Sequence, residues 1–227
     1  MASTAEPKPR AAPTSSTPNT PKVSNSQPSD YYGYLFDEYA KTPTSVFDAL
    51  LRAMAQHIST EIGDKQDRTL KGAKLAQFYK SVGGNYDKVF LSAPNETLSF
   101  LWQILGCFHS LQPTDNCYEA PSVPALTIAG FVRWQSIQIL LSPEEHVPFV
   151  IFAVKNWNLK HPDTGELFPK DISAAAFPTE PDADIVSWHE ACGTRLRQEA
   201  EQRQSPSSPR QPAPSAADRV NAGFSHV

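Results

Sequence analysis

The chain has 227 residues, a formal net charge of −4 and a 40% hydrophobic content, with 21 prolines, 10 glycines and three cysteines. That length admits one medium domain or two small ones. The mild acidity, and the absence of any like-charge run longer than two residues, argue against nucleic acid and against an anionic membrane surface as partners.

Residues 1–30 hold six prolines and no aromatic side chain, and residues 205–227 hold four prolines and a single Phe224. Neither segment has enough apolar surface to offset the entropy of ordering its backbone, so both read as disordered tails. All four tryptophans, all seven tyrosines and the other eleven phenylalanines lie in residues 31–204, which read as one domain. That domain carries 15 basic and 21 acidic side chains, a net of −6. The apolar run at Val147–Val154 is far shorter than the roughly 20 residues that span a bilayer. The first residues lack the apolar core of a signal peptide, and Cys107, Cys117 and Cys192 are an odd number. The expectation is an intracellular protein, cytoplasmic or nuclear, with reduced thiols.

In chain order, Tyr31-Tyr32-Gly33-Tyr34-Leu35-Phe36 anchors the entry into the domain. Thr44 is placed to cap a helix whose apolar residues, Phe47, Leu50, Leu51, Met54 and Ile58, recur at three and four, with Gly63 as its stop. A second helix is expected over 69–82, stopped by Gly83-Gly84, and a short helical turn over 85–91. A third full helix is expected from Asn95, acting as cap, to His109. Gln112 to Pro124 reads as a proline-bearing connection. From Thr127 to Ser142, and again from Phe149 to Trp157, apolar residues point nearly all round, which marks central helices with Phe131 and Trp134 in the core. A last helix, 182–203, is amphipathic only in its first half. No segment sustains period-two alternation, so the fold expected is all-α: one orthogonal bundle of about six to eight helices between disordered tails.

Candidate chemistry is sparse. Glu144-Glu145-His146 invites an acid, base or ligand reading, but Ser142-Pro143-Glu144-Glu145 has the spacing of a capping box, with Glu145 reaching back to the Ser142 amide. His146 has no second histidine one helical turn away, as a helical zinc site needs. Asp163-Thr164-Gly165 matches the triplet of aspartic proteases, yet it follows His161-Pro162 and has no second copy, so it reads as a turn. Cys107, His109, His189 and Cys192 could together make a zinc site, although both cysteines fall on apolar helical faces, where a thiol behaves as a small hydrophobe. No cofactor, metal or catalytic residue is assigned. Arg133 is the one singled-out charge: inside the most apolar helix it calls for an acidic partner, as a structural ion pair or, alternatively, as an anion site. Thr17-Pro18, Thr20-Pro21, Ser205-Pro206 and Ser208-Pro209 in the tails fit proline-directed phosphorylation.

Gly130-Phe-Val-Arg-Trp-Gln, Pro143-Glu-Glu-His-Val-Pro-Phe, His161-Pro-Asp-Thr-Gly-Glu and Phe168-Pro169 resemble an uncharacterised domain-of-unknown-function family of filamentous-fungal proteins. The likeness runs over about residues 31–202. It implies a helical fold and a fungal origin, and brings no activity, ligand or catalytic residue. From the residues themselves the expected role is a non-enzymatic protein-interaction or scaffold module. The alternative is a small-ligand-binding domain or enzyme with a polar site around Arg133, His146 and His189. Convergence of those three groups on one pocket would favour the alternative, and their dispersal the module.

Overall fold

The computed structural model of the chain describes Met1 and residues 31–204; both proline-rich tails, with their Ser/Thr-Pro dipeptides, lie outside the described residues. Seven α-helices are present: α1 (Ser45–Glu61), α2 (Gly72–Ser81), α3 (Asp87–Phe90), α4 (Asn95–Ile104), α5 (Ile128–Leu141), α6 (Pro143–Asn156) and α7 (Ala183–Gln204). The all-α expectation is nevertheless wrong. A three-stranded antiparallel sheet of β1 (Leu70–Lys71), β2 (His109–Gln112) and β3 (Val123–Leu126), in the order β1-β3-β2, makes this a helix-rich mixed α/β fold.

The strands escaped the periodicity argument because they are two and four residues long, too short to display an alternation. β1 occupies the start of the segment expected to be helical over 69–82. β2 takes the end of the helix expected to run to His109. That helix stops at Ile104, and Gly106 follows in the left-handed region at φ +69°, a stop that only glycine makes easily. No side chain caps α4, and its cap residue is Pro94 rather than Asn95. β3 pairs Leu126 and Ala125 with β1, and that ladder ends beside Pro124, which has no N–H to donate.

The signals at both ends of α1 were accurate. The Thr44 hydroxyl accepts from the Phe47 amide and Gly63 sits at φ +66° beyond α1. Thr127 accepts from Gly130 N–H at the start of α5, and the Asp182 carboxylate accepts from Ile185 N–H at the start of α7. The core is built round α5, where Phe131, Trp134, Ile137, Ile139 and Leu140 are all buried. It packs against α1, α6, α7 and β3. The entry segment Tyr32, Leu35 and Phe36 is buried too, with Leu35 N–H bonded to the Ala176 carbonyl.

Two details fix the registry of these layers. The Trp134 indole N–H donates to the Tyr79 hydroxyl, 2.9 Å, which donates to the Gln135 side-chain carbonyl, 3.1 Å, so α2 and α5 share one buried polar chain. At the β3–α5 junction, the Phe108 carbonyl accepts from both the amide and the hydroxyl of Thr127, and a Cβ on Gly130 would stand 1.9 Å from that oxygen. Gly130→Ala should therefore cost at least about 3 kcal/mol, because backbone rather than a flexible side chain must move. Gly193→Ala, with open space around it on α7, should instead stabilise by about 0.5–1 kcal/mol. Denaturant melts of the two variants against the parent check both signs. Tyr79→Phe strands the Trp134 donor and the Gln135 acceptor and should cost about 1–3 kcal/mol in the same assay.

Candidate functional site

Of the three groups weighed for an alternative polar site, Arg133 and His189 lie on α5 and α7 at the two sides of one helix contact, and His146 lies in a different setting. Arg133 lies on the exposed side of α5. Its Nε donates to the Leu105 carbonyl, 2.8 Å, and its guanidinium carbon stands 5.7 Å from the centroid of the Trp188 ring. Among the described residues it has no carboxylate partner, so the expected ion pair is replaced by the negative end of α4 and an aromatic face. It borders a cavity of about 180 Å³ between α5, α7 and Lys41–Pro43. His189, next along α7 from Trp188, is half-buried.

His146 is elsewhere, 1% exposed in an aromatic nest of Tyr79, Tyr86 and Phe149. The capping box does not form. Ser142 N–H is already bonded to the Gln138 carbonyl as the cap of α5, and its side chain caps nothing. Glu145 is thereby free to accept from the Tyr86 hydroxyl at 2.9 Å, and that same phenol oxygen is 2.7 Å from His146 Nε2. With Glu145 ionised, the phenol proton points to the carboxylate, so Nε2 carries a proton and donates to Tyr86. His146 Nδ1 is then a buried lone pair without a partner. Burial pulls the imidazole pKa down to about 4 against a small opposing pull from Glu144, and burial plus the Glu145 hydrogen bond raise that of the Tyr86 phenol. A neutral imidazole beside a phenol that holds its proton is a structural arrangement.

The other candidates resolve likewise. Asp163 forms a two-pronged pair with Arg52 of α1, 2.8 and 3.1 Å, and Gly165 completes the turn at φ +76°, as turn chemistry anticipated. Cys107 is buried with its thiol pushed up to about 12, while the Arg133 charge pulls in the other direction on both Cys107 and Cys192. His109 hydrogen-bonds Ser99, 2.7 Å, and the Cys107 carbonyl, 3.1 Å. Among the described residues no group of three His, Cys, Asp or Glu side chains is arranged to hold a metal ion.

The larger concavities flank α1. One of about 490 Å³ lies between α1 and the sheet, lined by Gln56, Ser59 and Thr60 on the helix, Arg68 and Leu70 at β1, and Ser110 and Gln112 on β2. The other, about 560 Å³, lies toward the end of α6 beside His57, which stacks on Trp157 at 4.4 Å. They share Gln56 and Thr60. Beneath the first sits Lys74, only 5% exposed, whose ammonium donates to the carbonyls of Ser59, Asp64 and Asp67. Sequence reasoning missed it, although Lys74 and Phe78 stand four residues apart on the buried stripe of α2. It likewise missed Tyr86 and Arg68, which no local pattern marks.

The buried histidine gives a pH dependence. Above pH 6.5 it is neutral folded or unfolded; between about 6.5 and 4 only the unfolded chain takes up the proton. Stability should therefore be fully present above that window and fall as the pH drops through it, by up to about 3 kcal/mol. Chemical denaturation at pH 7 and pH 4 should show this loss, and His146→Gln should remove most of the difference.

Residues 33–193 match the model of a family described as Domain of unknown function (DUF7514). No curated protein and no solved structure matches the chain. Since the match takes in more than half of the chain, and within it the nest around His146, the Arg133 contact and both cavities along α1, the chain belongs to the DUF7514 family.

Proposed function

We propose that this domain is a non-enzymatic protein-interaction module of an intracellular fungal protein. The observation that carries the reading is a display of large apolar side chains on one hairpin. Phe108 is 70% exposed, Leu111 49% and Tyr118 95%, all within or beside β2 and the connection to β3. β2 is also an edge of the sheet. Phe108 and Gln112 turn their carbonyls to the β3 side, so the backbone groups of His109 and Leu111 alternate to the open side. Solvent-facing strand edges with apolar neighbours are surfaces on which a segment of another protein can add.

Dispersal of Arg133, His146 and His189 weighs against the enzyme alternative, because each is absorbed by a helix end, an aromatic nest or a helix surface. Three unpaired cysteines, one of them buried and one exposed, suit a reducing compartment. Among the described residues no helix is long and apolar enough to cross a membrane.

The test uses the full chain with Phe108→Ser and Tyr118→Ser together. Both side chains are exposed, so the melting temperature should be unchanged within about 0.5 kcal/mol of stability. Quantitative affinity purification should show specific partners falling at least about tenfold with the double variant, the loss expected when two apolar anchors go. If the parent and the double variant retain the same proteins in the same amounts, the hairpin is not the interaction surface.

A further inference from the structure

The cavity between α1 and the sheet has a chemical signature that the interaction reading does not use. Among the described residues, Arg68 is the one charged residue that lines it, and no carboxylate does. The Arg68 guanidinium makes no ion pair or hydrogen bond among the described residues, whereas the neighbouring Asp67 is engaged by Lys71 at 2.9 Å and by Thr69. Lys74 lies behind this end, held by backbone carbonyls and outside the lining, so Arg68 is the cation that the cavity presents. Burial lowers the Lys74 pKa, the Asp67 and Asp64 charges oppose that shift, and Arg68 adds a smaller lowering.

The walls supply the second half of the signature. The Ser59 hydroxyl donates to the Arg68 carbonyl, 2.6 Å, and the Thr60 hydroxyl to the Gln56 carbonyl, 3.1 Å. The Gln112 amide nitrogen donates to Ser110 Oγ at 2.9 Å. These groups have committed a proton to the protein and keep oxygen lone pairs to offer. The Gln56 side chain, exposed and without a bond of its own, adds a donor and an acceptor. A ligand suited to such walls brings hydroxyl donors, and a ligand suited to Arg68 brings one anionic group. At about 490 Å³ the space is in the range of small-molecule sites.

We propose that this cavity binds a small polyhydroxylated anion, a sugar phosphate or a sugar acid, with Arg68 taking the charge and the Gln56, Ser59, Thr60 and Gln112 side chains taking the hydroxyls. A planar guanidinium suits carboxylate and phosphate alike through paired hydrogen bonds. Binding here secures the segment between α1 and β1. The cavity shares β2 with the hairpin surface, through Ser110 and Gln112, but neither Phe108 nor Tyr118 lines it, so the two tests can fail independently.

Titration calorimetry on the full chain, with thermal melts alongside, uses four probes: glucose 6-phosphate, gluconate, glucose and inorganic phosphate. Saturable binding of either sugar anion, at least tenfold tighter than glucose and inorganic phosphate, is the expected result, and the stronger of the two identifies the anionic group. Arg68→Gln should weaken it roughly tenfold to a hundredfold, the size of a lost charge-assisted pair. Arg195→Gln, a cation on the remote α7, should leave it unchanged. Arg68 is exposed and its carbonyl contact survives the substitution, so the variant should melt like the parent. The proposal is overturned if neither sugar anion binds, if Arg68→Gln binds as tightly as the parent, or if inorganic phosphate alone binds as tightly as glucose 6-phosphate.

Discussion

Every layer of this fold answers to one constraint: α5 has to be covered on nearly all sides. Gly130, Phe131, Val132, Trp134, Gln135, Ser136, Ile137, Ile139 and Leu140 are buried in succession, with Arg133 the main interruption. A helix with so continuous a buried surface cannot lie at the edge of a domain. Helices α1, α6 and α7 cover it laterally, and β3 leads straight into its first turn. Because that turn follows the strand without a loop, the Phe108 carbonyl and Gly130 meet with no room for a side chain between them. The position of the sheet is thus set by the position of α5.

Buried Lys74 and exposed Arg133 follow a common rule, which is that backbone carbonyls take the place of carboxylates. Lys74 spends its three donors on Ser59, Asp64 and Asp67, and the first of these lies in the last turns of α1, where carbonyls lack helical partners. Arg133 does the same for the end of α4 at Leu105. Each cation joins the C-terminus of one helix to another helix, which favours both the dipole and the registry. Carboxylates are in turn released for the surface, where Asp48 and Asp163 hold Arg52 and Asp182 holds Lys41.

How much of this was legible depends on the range of the interaction. Thr44, Gly63, Thr127 and Asp182 act within a turn of their own helix, and the sequence displays them. The capping box at Ser142 had the right spacing and failed, because α5 ends one residue before α6 begins and the shared Ser142 amide serves the earlier helix. Arg133 was singled out for an acidic partner, but its hydrogen-bond partner is a carbonyl 28 positions away, and no side-chain pattern announces a carbonyl. The sheet was invisible for a related reason. A two-residue strand such as β1 is defined by its pairing with Leu126 and Ala125, and not by any periodicity of its own. His146 and Glu145 were read as a pair at a helix start, whereas their roles are fixed by Tyr86, 59 and 60 positions earlier.

That long-range character also explains why a cavity exists between α1 and the sheet at all. α1 spends its apolar stripe, from Phe47 through Ile58, on the core, so what it turns toward the strands is Gln56, Ser59 and Thr60. The strands answer with small or polar side chains, Ser110 and Gln112 on β2 and Ala125 opposite Ser110 on β3. Neither face has the volume or the hydrophobicity to close against the other. The β1 ladder, ended beside Pro124, is too short to fill the remaining space. The gap keeps an apolar floor, with Leu70, Leu126 and Ile128 in its lining, beneath a rim of polar groups whose own bonds are already made. The same elements that fill the core therefore leave a recess of mixed polar and apolar lining on the other side of α1, and Arg68 is positioned at it by the segment that Lys74 holds.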